Sequence, residues 1–285
     1  MDHPVAQSLI PEVQNRVIIT YGFNKQSDVR AENIRATAFG SYFDVVIAPE
    51  SISTTTPRLI KELFLPMMGL HNIQNACAAI AVACRLNLGE ADIRKALGNF
   101  SGVKRRFTRT GVSHGVLVVD DYGHHPVEIA AVLKAGRQAL IGGAPLQHAG
   151  ATSEPCATAA AHILPPAAGK IIAVVQPHRY TRLRDLFDEF CTCLDDADCV
   201  IVADVYAAGE SKITGIDRDH LVEGIKSHGH KHVESLDHPD NLPNLIGKLA
   251  SAGDIVICLG AGSITNWAQS LPTQLDEVWQ QKLSA

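Results

Sequence analysis

The sequence predicts an α/β fold in two domains, the second a Rossmann-like, doubly wound, mostly parallel sheet. Three observations carry this. Short apolar runs alternate with stretches of helical periodicity from residue 116 onward, which is the pattern of parallel strands joined by crossover helices. The character of the chain changes near residue 107, so two domains are expected, 1–107 and 108–285. Two of the apolar runs end in polar strings, Asp120-Asp121-Tyr122-Gly123-His124-His125-Pro126 and Gln176-Pro177-His178-Arg179-Tyr180-Thr181-Arg182. Carboxyl ends of strands are where such folds collect ligands.

In chain order, residues 16–21 and 43–48 read as strands because they are rich in β-branched and aromatic residues, with a further strand at 33–39. Leu65-Pro66-Met67-Met68-Gly69 is a break. From His71 to Asn87, Ala76, Ala79, Ile80, Ala83 and Leu86 keep helical spacing, Gly89 stops the helix, and a second helix runs from about 90 to 97. Residues 100–107 form a basic connector. Residues 107–111 and 115–120 flank a likeness of a β-hairpin turn at Val112-Ser113-His114. Helices are then expected at 126–140, 181–194, 217–227 and 241–250, and strands at 171–175, 199–203, 231–235 and 254–259. Residues 142–169, dominated by Gly, Ala, Pro, Ser and Thr without periodicity, read as a flexible surface insertion.

Composition limits the function. Apolar residues make up 46% of the 285 and charged residues 19%, enough for a full core. A net charge of −5 offers no general basic field, so neither nucleic acid nor an anionic membrane is an expected partner. No apolar run approaches the ~18 residues of a membrane span. Met1-Asp2-His3-Pro4 lacks the basic and apolar regions of a signal peptide. The seven cysteines form no Cys-x-x-Cys pair, which fits a reducing cytoplasm.

Four constellations carry chemistry. His71-Asn72-x-x-Asn75 opens a helix; Asn72 and Asn75 are three apart and suit one edge of a purine, although capping alone explains one asparagine. Arg105-Arg106-Phe107 lies at the domain junction, where an arginine can hold a phosphate; a solvated linker is the plainer reading. The stretch 120–126 combines an apolar strand, two acids, a glycine turn, two histidines and a proline suited to a first helical turn. Arg179 and Arg182, three apart at a helix start, make a fork for a carboxylate or phosphate. Tyr206-Ala207-Ala208-Gly209-Glu210 and Gly260-Ala261-Gly262-Ser263-Ile264 end two more strands; the latter is a phosphate turn or a tight-packing turn. His228-Gly229-His230-Lys231-His232 has no accompanying carboxylate or cysteine and reads as a solvated turn.

Together, Gly69-Leu70-His71-Asn72-Ile73-Gln74-Asn75, Gly102-Val103-Lys104-Arg105-Arg106-Phe107, the two strand-end strings and Tyr206-Ala207-Ala208-Gly209-Glu210 resemble the Mur ligases over nearly the whole chain except 142–169. The resemblance implies ATP-dependent amide formation through an acyl phosphate, with UDP-N-acetylmuramate, L-alanine and ATP as substrates and Mg²⁺ as cofactor. It implies that His71, Asn72 and Asn75 hold the adenine side of ATP, Asp121 the ribose and Arg106 the phosphates. Tyr122 and His124 would shape the L-alanine pocket, Arg179 and Arg182 would hold carboxylates, and His124, Arg179 and Arg182 would serve catalysis. The domains implied are the latter part of a central ATPase domain and a whole carboxyl-terminal domain. The sequence departs from the family in one respect. No Gly-x-x-x-x-Gly-Lys-[Ser/Thr] phosphate loop occurs, since Gly169-Lys170 is followed by Ile171. The chain is therefore expected to be inactive alone, with Mg²⁺ ligands mainly in an N-terminal part, and to have an exposed edge on its first sheet. A non-catalytic binding module, or one piece of a split enzyme completed by a separate N-terminal fragment, stays open.

Overall fold

A computed structural model of the chain describes residues 2–37, 40–49, 57–100, 102–141 and 169–284. The expected insertion at 142–169 lies outside the described residues apart from Gly169, as do residues 38–39 of the expected strand. The chain divides into two compact units, Met1–Gly102 and Val103–Ala285, so the connector residues Val103–Phe107 go with the second.

The first unit holds α1 (Pro4–Leu9), β1 (Tyr21–Gly22), β2 (Val29–Thr37), β3 (Gly40–Ile47), β4 (Arg58–Leu65), α2 (Leu70–Arg85) and α3 (Glu90–Gly98). Its sheet runs β1-β2-β3-β4, with β1 parallel to β2 and the other pairs antiparallel. The strand expected at 16–21 shrinks to Tyr21–Gly22, because only these residues find a partner, in Val29–Arg30. Strand β4 was not expected: its burial is irregular, and no clean alternation marks it. Helix α2 buries Ile73, Ala76, Cys77, Ile80, Ala81 and Cys84 against Phe43, Val45, Ile47 and Ile60 of the sheet.

The second unit holds β5 (Thr108–Ser113), β6 (Val116–Asp121), α4 (Pro126–Ile141), β7 (Ile171–Val175), α5 (Tyr180–Asp185), α6 (Phe187–Thr192), β8 (Cys199–Ala203), α7 (Arg218–Ser227), β9 (Val233–Leu236), α8 (Leu242–Leu249), β10 (Ile255–Leu259) and α9 (Ile264–Ser284). The strand order is β5-β6-β10-β7-β8-β9; all neighbours are parallel except the β5–β6 hairpin. Strands β6, β7, β8 and β10 are buried at every position, as a sheet covered on both faces requires. Helices α8 and α9 cover one face, with Leu242, Ile246, Ile264, Ala268, Leu271 and Leu275 packed on Val118, Val174, Ile201 and Cys258. Helices α4 and α7 contact β7, β10, β8 and β9. The helix expected at 181–194 is interrupted at Leu186, and the 21-residue α9 went unexpected. Pro272 lies inside α9; it seats on Gly111, where a Cβ would come within 2.8 Å of the proline ring. No helix among the described residues is long and apolar enough to cross a membrane.

One carboxylate organises the first sheet. The β2–β3 register shifts between Glu32 and Arg35, and the β3–β4 register between Phe43 and Val45. Asn33 and Glu62 sit at these bulges with φ of 52° and 51°, a region disfavoured for residues with a Cβ. Buried Asp44 serves both: Oδ2 accepts from Asn33 Nδ2 at 2.9 Å, and Oδ1 from the Glu62 N–H at 2.8 Å. The Asn33 bond, then the Glu62 bond, hold this carboxyl below the ordinary carboxylate range; burial works against them, and Lys61 and Arg35 assist. A depressed folded value makes the ion stabilising above the unfolded pKa of about 3.9, and that contribution is lost as pH falls through the folded value. Asp44→Ala should lower the unfolding free energy of the first unit at pH 7 by about 2–3 kcal/mol, through two lost charge-assisted bonds. The deficit should narrow below about pH 4. Identical urea midpoints for both proteins at pH 7 would refute this role.

Candidate functional site

Three parallel strands of the second unit end level. Leu259 of β10 is in register with Asp121 of β6 on one side and Val175 of β7 on the other. Strand β10 thus separates the two polar strings that follow one another in sequence. The Gly260 N–H donates to Asp121 O at 3.2 Å and the Gln176 N–H to Leu259 O at 2.9 Å, which carries the ladder just past the strand ends. The turns after β6 and β7 then meet above β10.

Their meeting is a row of rings. Tyr122 and His124 are edge-to-face with centroids 5.0 Å apart, His124 and His178 edge-to-face at 5.5 Å, and His178 stacks on Tyr206 at 5.5 Å. The Arg105 guanidinium closes the row, 4.8 Å from the Tyr122 centroid, and that of Arg106 lies at 5.9 Å. His178 is held beside Tyr206 by an isolated parallel bridge: Arg179 N–H donates to Tyr206 O at 2.9 Å and Tyr206 N–H to Pro177 O at 2.8 Å. The sequence-predicted Tyr122 and His124 are therefore brought to His178, on which Arg182 rests, whereas the Arg179 side chain pairs with Glu210, so the expected two-arginine fork is not formed. His178, Tyr206 and Glu128 join them without a predicted role, and so does Arg105 of the basic connector; for His178 and Tyr206 the position just past a strand end was the available signal.

The turn after β6 is shaped by its acids. Asp121 is 1% exposed, with Oδ2 accepting the Phe107 N–H at 2.6 Å and Oδ1 the Gly123 N–H at 2.7 Å. Burial pushes its carboxyl up, while the two backbone bonds and Arg106 pull the other way and Asp120 adds to the rise. Both oxygens are engaged inside the fold, so the structure presents Asp121 as the residue that shapes the turn. Asp120 accepts from Thr265 Oγ1 at 2.6 Å and lies 3.7 Å from Arg105 Nε, while Arg105 Nη2 donates to Gly260 O. Arg105 and Phe107 hold positive φ, 61° and 49°, and the Tyr122 N–H donates to Arg105 O at 2.7 Å. Glu128, in the first turn of α4, accepts the N–H groups of His124 and His125 and lies 3.8 Å from Arg106 Nη1. Burial would raise its carboxyl, but the His124 N–H bond, the His124 imidazole when charged, the His125 N–H bond and the Arg106 charge together hold it low. His124 Nδ1 faces Tyr122 O at 2.8 Å and Glu128 Oε2 at 3.5 Å.

The two predicted arginines have separate anchors. Arg179 caps α5 with φ 73° and ψ 133°, strained for a residue with a Cβ, and lies 3.7 Å from Glu210 Oε1. Glu210 also accepts from the Thr181 N–H at 3.0 Å and Thr181 Oγ1 at 2.6 Å, which hold its carboxyl low. Arg182 Nη1 donates to His178 O at 3.2 Å and faces His178 Nδ1 at 3.3 Å. The glycine turn at 260–263 is set by packing, since a Cβ on Gly262 would lie 2.5 Å from both Gln176 Oε1 and the Tyr206 ring. Gln176 fills the space below, accepting from the Ile264 N–H and donating to Ser263 Oγ.

In the first unit, the two asparagines do not present one face. Asn72 is buried and donates Nδ2 to Met68 O at 2.7 Å, whereas Asn75 is exposed. His71, one turn before Asn75, is half-buried. Two of the three histidines of the 228–232 turn bond backbone oxygen: His228 Nδ1 to Gly224 O at 2.8 Å and His230 Nε2 to Ala197 O at 3.0 Å. Among the described residues no group of three or more His, Cys, Asp or Glu could hold a metal ion.

Comparison with known proteins agrees along the chain. Residues 1–83 match the Mur ligase middle domain, and residues 148–262 the Mur ligase glutamate ligase domain. The chain is 50% identical over 275 residues to the UDP-N-acetylmuramate–L-alanine ligase of Rhodospirillum centenum, covering 96% of this chain and 51% of that protein. It is 51% identical over 275 residues to the protein of the same name from Acidiphilium cryptum, with the same coverage, 96% and 51%. The chain thus spans about half the length (51%) of the curated relatives it matches. In fold it resembles the crystal structure of UDP-N-acetylmuramate-alanine ligase from Thermotoga maritima, with a TM-score of 0.65 at 24% identity, covering 93% of this chain and 48% of that one. With the MurF ligase of the same organism, solved in complex with ADP, the TM-score is 0.61 at 15% identity, covering 99% and 53%. With the motifs, the two domain matches and the fold in agreement, the chain belongs to the Mur ligases.

Proposed function

We propose that this chain is the carboxyl-terminal portion of a cytoplasmic UDP-N-acetylmuramate–L-alanine ligase acting in peptidoglycan precursor synthesis, with residues 1–107 from the central ATPase domain and 108–285 the amino-acid-binding domain. The observation that carries the reading is the convergence of Tyr122, His124, His178 and Arg182 over the ends of β6 and β7, with Arg179 beside them on Glu210. Cationic guanidinium groups suit a carboxylate, an imidazole suits an ammonium, and ring walls suit a short side chain. The half-share identity with the curated relatives supports the substrate choice.

In this reading ATP supplies the phosphoryl group that turns the lactyl carboxylate of UDP-N-acetylmuramate into an acyl phosphate. The chain's own residues prepare the attacking amine. Arg179 and Arg182 hold carboxylates, and Tyr122 limits side-chain size. His124 carries its proton on Nδ1, because both groups facing that nitrogen are acceptors. Its Nε2 is left to take a proton from the L-alanine ammonium, which frees the amine lone pair. Arg106, a partly exposed cation at the connector, suits the phosphates, and exposed Asn75 with His71 suits the adenine edge. Asn72 and Asp121 contribute by positioning, since each is spent on the backbone. Mg²⁺ would be held mainly by the segment bearing the phosphate loop. A second reading, a non-catalytic ATP- and amino-acid-binding fragment or one subunit of a split ligase, is favoured by one fact: the 285 residues contain no Gly-x-x-x-x-Gly-Lys-[Ser/Thr].

Three measurements test this. The isolated chain should release no phosphate from ATP in the presence of UDP-N-acetylmuramate and L-alanine, because the loop's cradle and lysine supply most of the charge stabilisation of phosphoryl transfer. Turnover that depends on L-alanine would overturn that expectation. In the full-length ligase, Tyr122→Ala should admit larger amino acids with ATP affinity unchanged, while Arg179→Ala and Arg182→Ala should depress the reaction with every amino acid. Lower melting temperatures with unaltered kinetics would favour purely structural roles. Asn75→Ala should weaken ATP binding by roughly 1–3 kcal/mol, the value of a lost hydrogen bond in a desolvated site; unchanged affinity in a titration would remove Asn75 from the nucleotide site.

A further inference from the structure

The geometry points to His178 as a positioning residue whose neutral Nε2–H tautomer seats Arg182 and gives the amino-acid site a hydrogen-bond donor opposite the acceptor of His124. This rests on the proposed amino-acid site.

The argument is one of donors and acceptors. Arg182 Nη1 lies 3.3 Å from His178 Nδ1 and 3.2 Å from His178 O. A guanidinium has only N–H donors, so Nδ1 must offer a lone pair. The proton of a neutral His178 is then on Nε2. His124 is the mirror case, with a carbonyl and a carboxylate facing Nδ1, so its lone pair is on Nε2. Neither Nε2 has a hydrogen-bond partner among the described residues, and the ring centroids are 5.5 Å apart. The pair therefore offers one acceptor and one donor side by side. A zwitterionic amino acid needs that combination: an acceptor for its ammonium and a donor, beside the arginines, for its carboxylate.

The surroundings keep His178 neutral. Arg182 and Arg179 face it as permanent cations and His124 as a cation only when it is itself protonated; Glu210 is the facing anion, and Tyr206 stacks on the ring. Burial first, then His124, Arg182 and Arg179, push its pKa below the ordinary histidine value, and Glu210 only partly offsets them. Protonation would place N–H against N–H at Nδ1 and force Arg182 from its seat.

The test starts with the 285-residue chain labelled with ¹⁵N-histidine. Long-range ¹H–¹⁵N spectra, with His178 assigned through His178→Asn, should show a single Nε2–H tautomer at pH 7.5 and a titration midpoint below the ordinary ~6.5. His124 should show Nδ1–H. Mixed tautomers at His178, or a proton on its Nδ1, overturn the inference. In the full-length ligase, kcat/KM for L-alanine should fall about tenfold per pH unit on the acid side of that titration. His178→Asn, whose amide oxygen replaces Nδ1 as acceptor, should lose this contribution and keep only the acid limb of the His124 base, so that the slope below both titrations is shallower than wild type by about tenfold per pH unit; a slope unchanged from wild type overturns the inference as well. A full-length wild-type ligase that makes no ADP in response to L-alanine would instead sink the functional reading, and the spectra would still decide the tautomers.

Discussion

The carboxylate of Asp121 ties together parts of the second unit that are far apart in role. One oxygen takes the N–H of Phe107, at the end of the connector, and the other the N–H of Gly123, in the turn that carries Tyr122 and His124. At 1% exposure it has no water to fall back on, so losing either bond would leave a buried group unsatisfied. The Tyr122 N–H closes the same loop onto Arg105 O. Connector, strand end and ring row are therefore one hydrogen-bonded object. The left-handed φ values of Arg105 and Phe107 are sustained by that object, which fixes the backbone on both sides of them.

A second layer of support is electrostatic. Asp120 lies on the opposite face of β6 from Asp121, reaching Thr265 at the start of α9 and the Arg105 side chain. Arg105 adds the Gly260 carbonyl and the Tyr122 ring. A buried ion pair of this kind contributes little net stability, because desolvation offsets attraction, but it specifies an arrangement. Here it aligns the end of β10, the start of α9 and the connector.

Much of this was legible in the sequence, for identifiable reasons. The apolar runs at 116–119, 171–175, 199–203 and 255–259 are β-branched and bounded by turn residues, so their strands and the mostly parallel sheet could be read directly. The polar strings at the ends of β6 and β7 mark the strand ends on which the proposed site is built. What escaped depends on partners remote in sequence. The seating of β10 between β6 and β7 is set by the crossover from β9, which no local pattern encodes. Helix α9 was hidden by Pro272, whose ring fits only because β5 has a glycine at position 111. Strand β4 bends around a bulge held by Asp44, eighteen residues away. Asn72 and Asn75 looked like a pair from their spacing, but Asn72 is drawn inward by the Met68 carbonyl, a bond that spacing cannot foresee.

Contiguity of the ring row has a consequence for how its specificity can change. Tyr122, His124, His178 and Tyr206 each touch the next, and Tyr206 is pressed in turn against the backbone of Gly262. Substitutions in such a row are energetically coupled, since each ring is part of its neighbour's wall. In the amino-acid site proposed above, a change of ligand size is therefore an epistatic walk, in which the effect of a replacement at one end is set by the residues already present at the other.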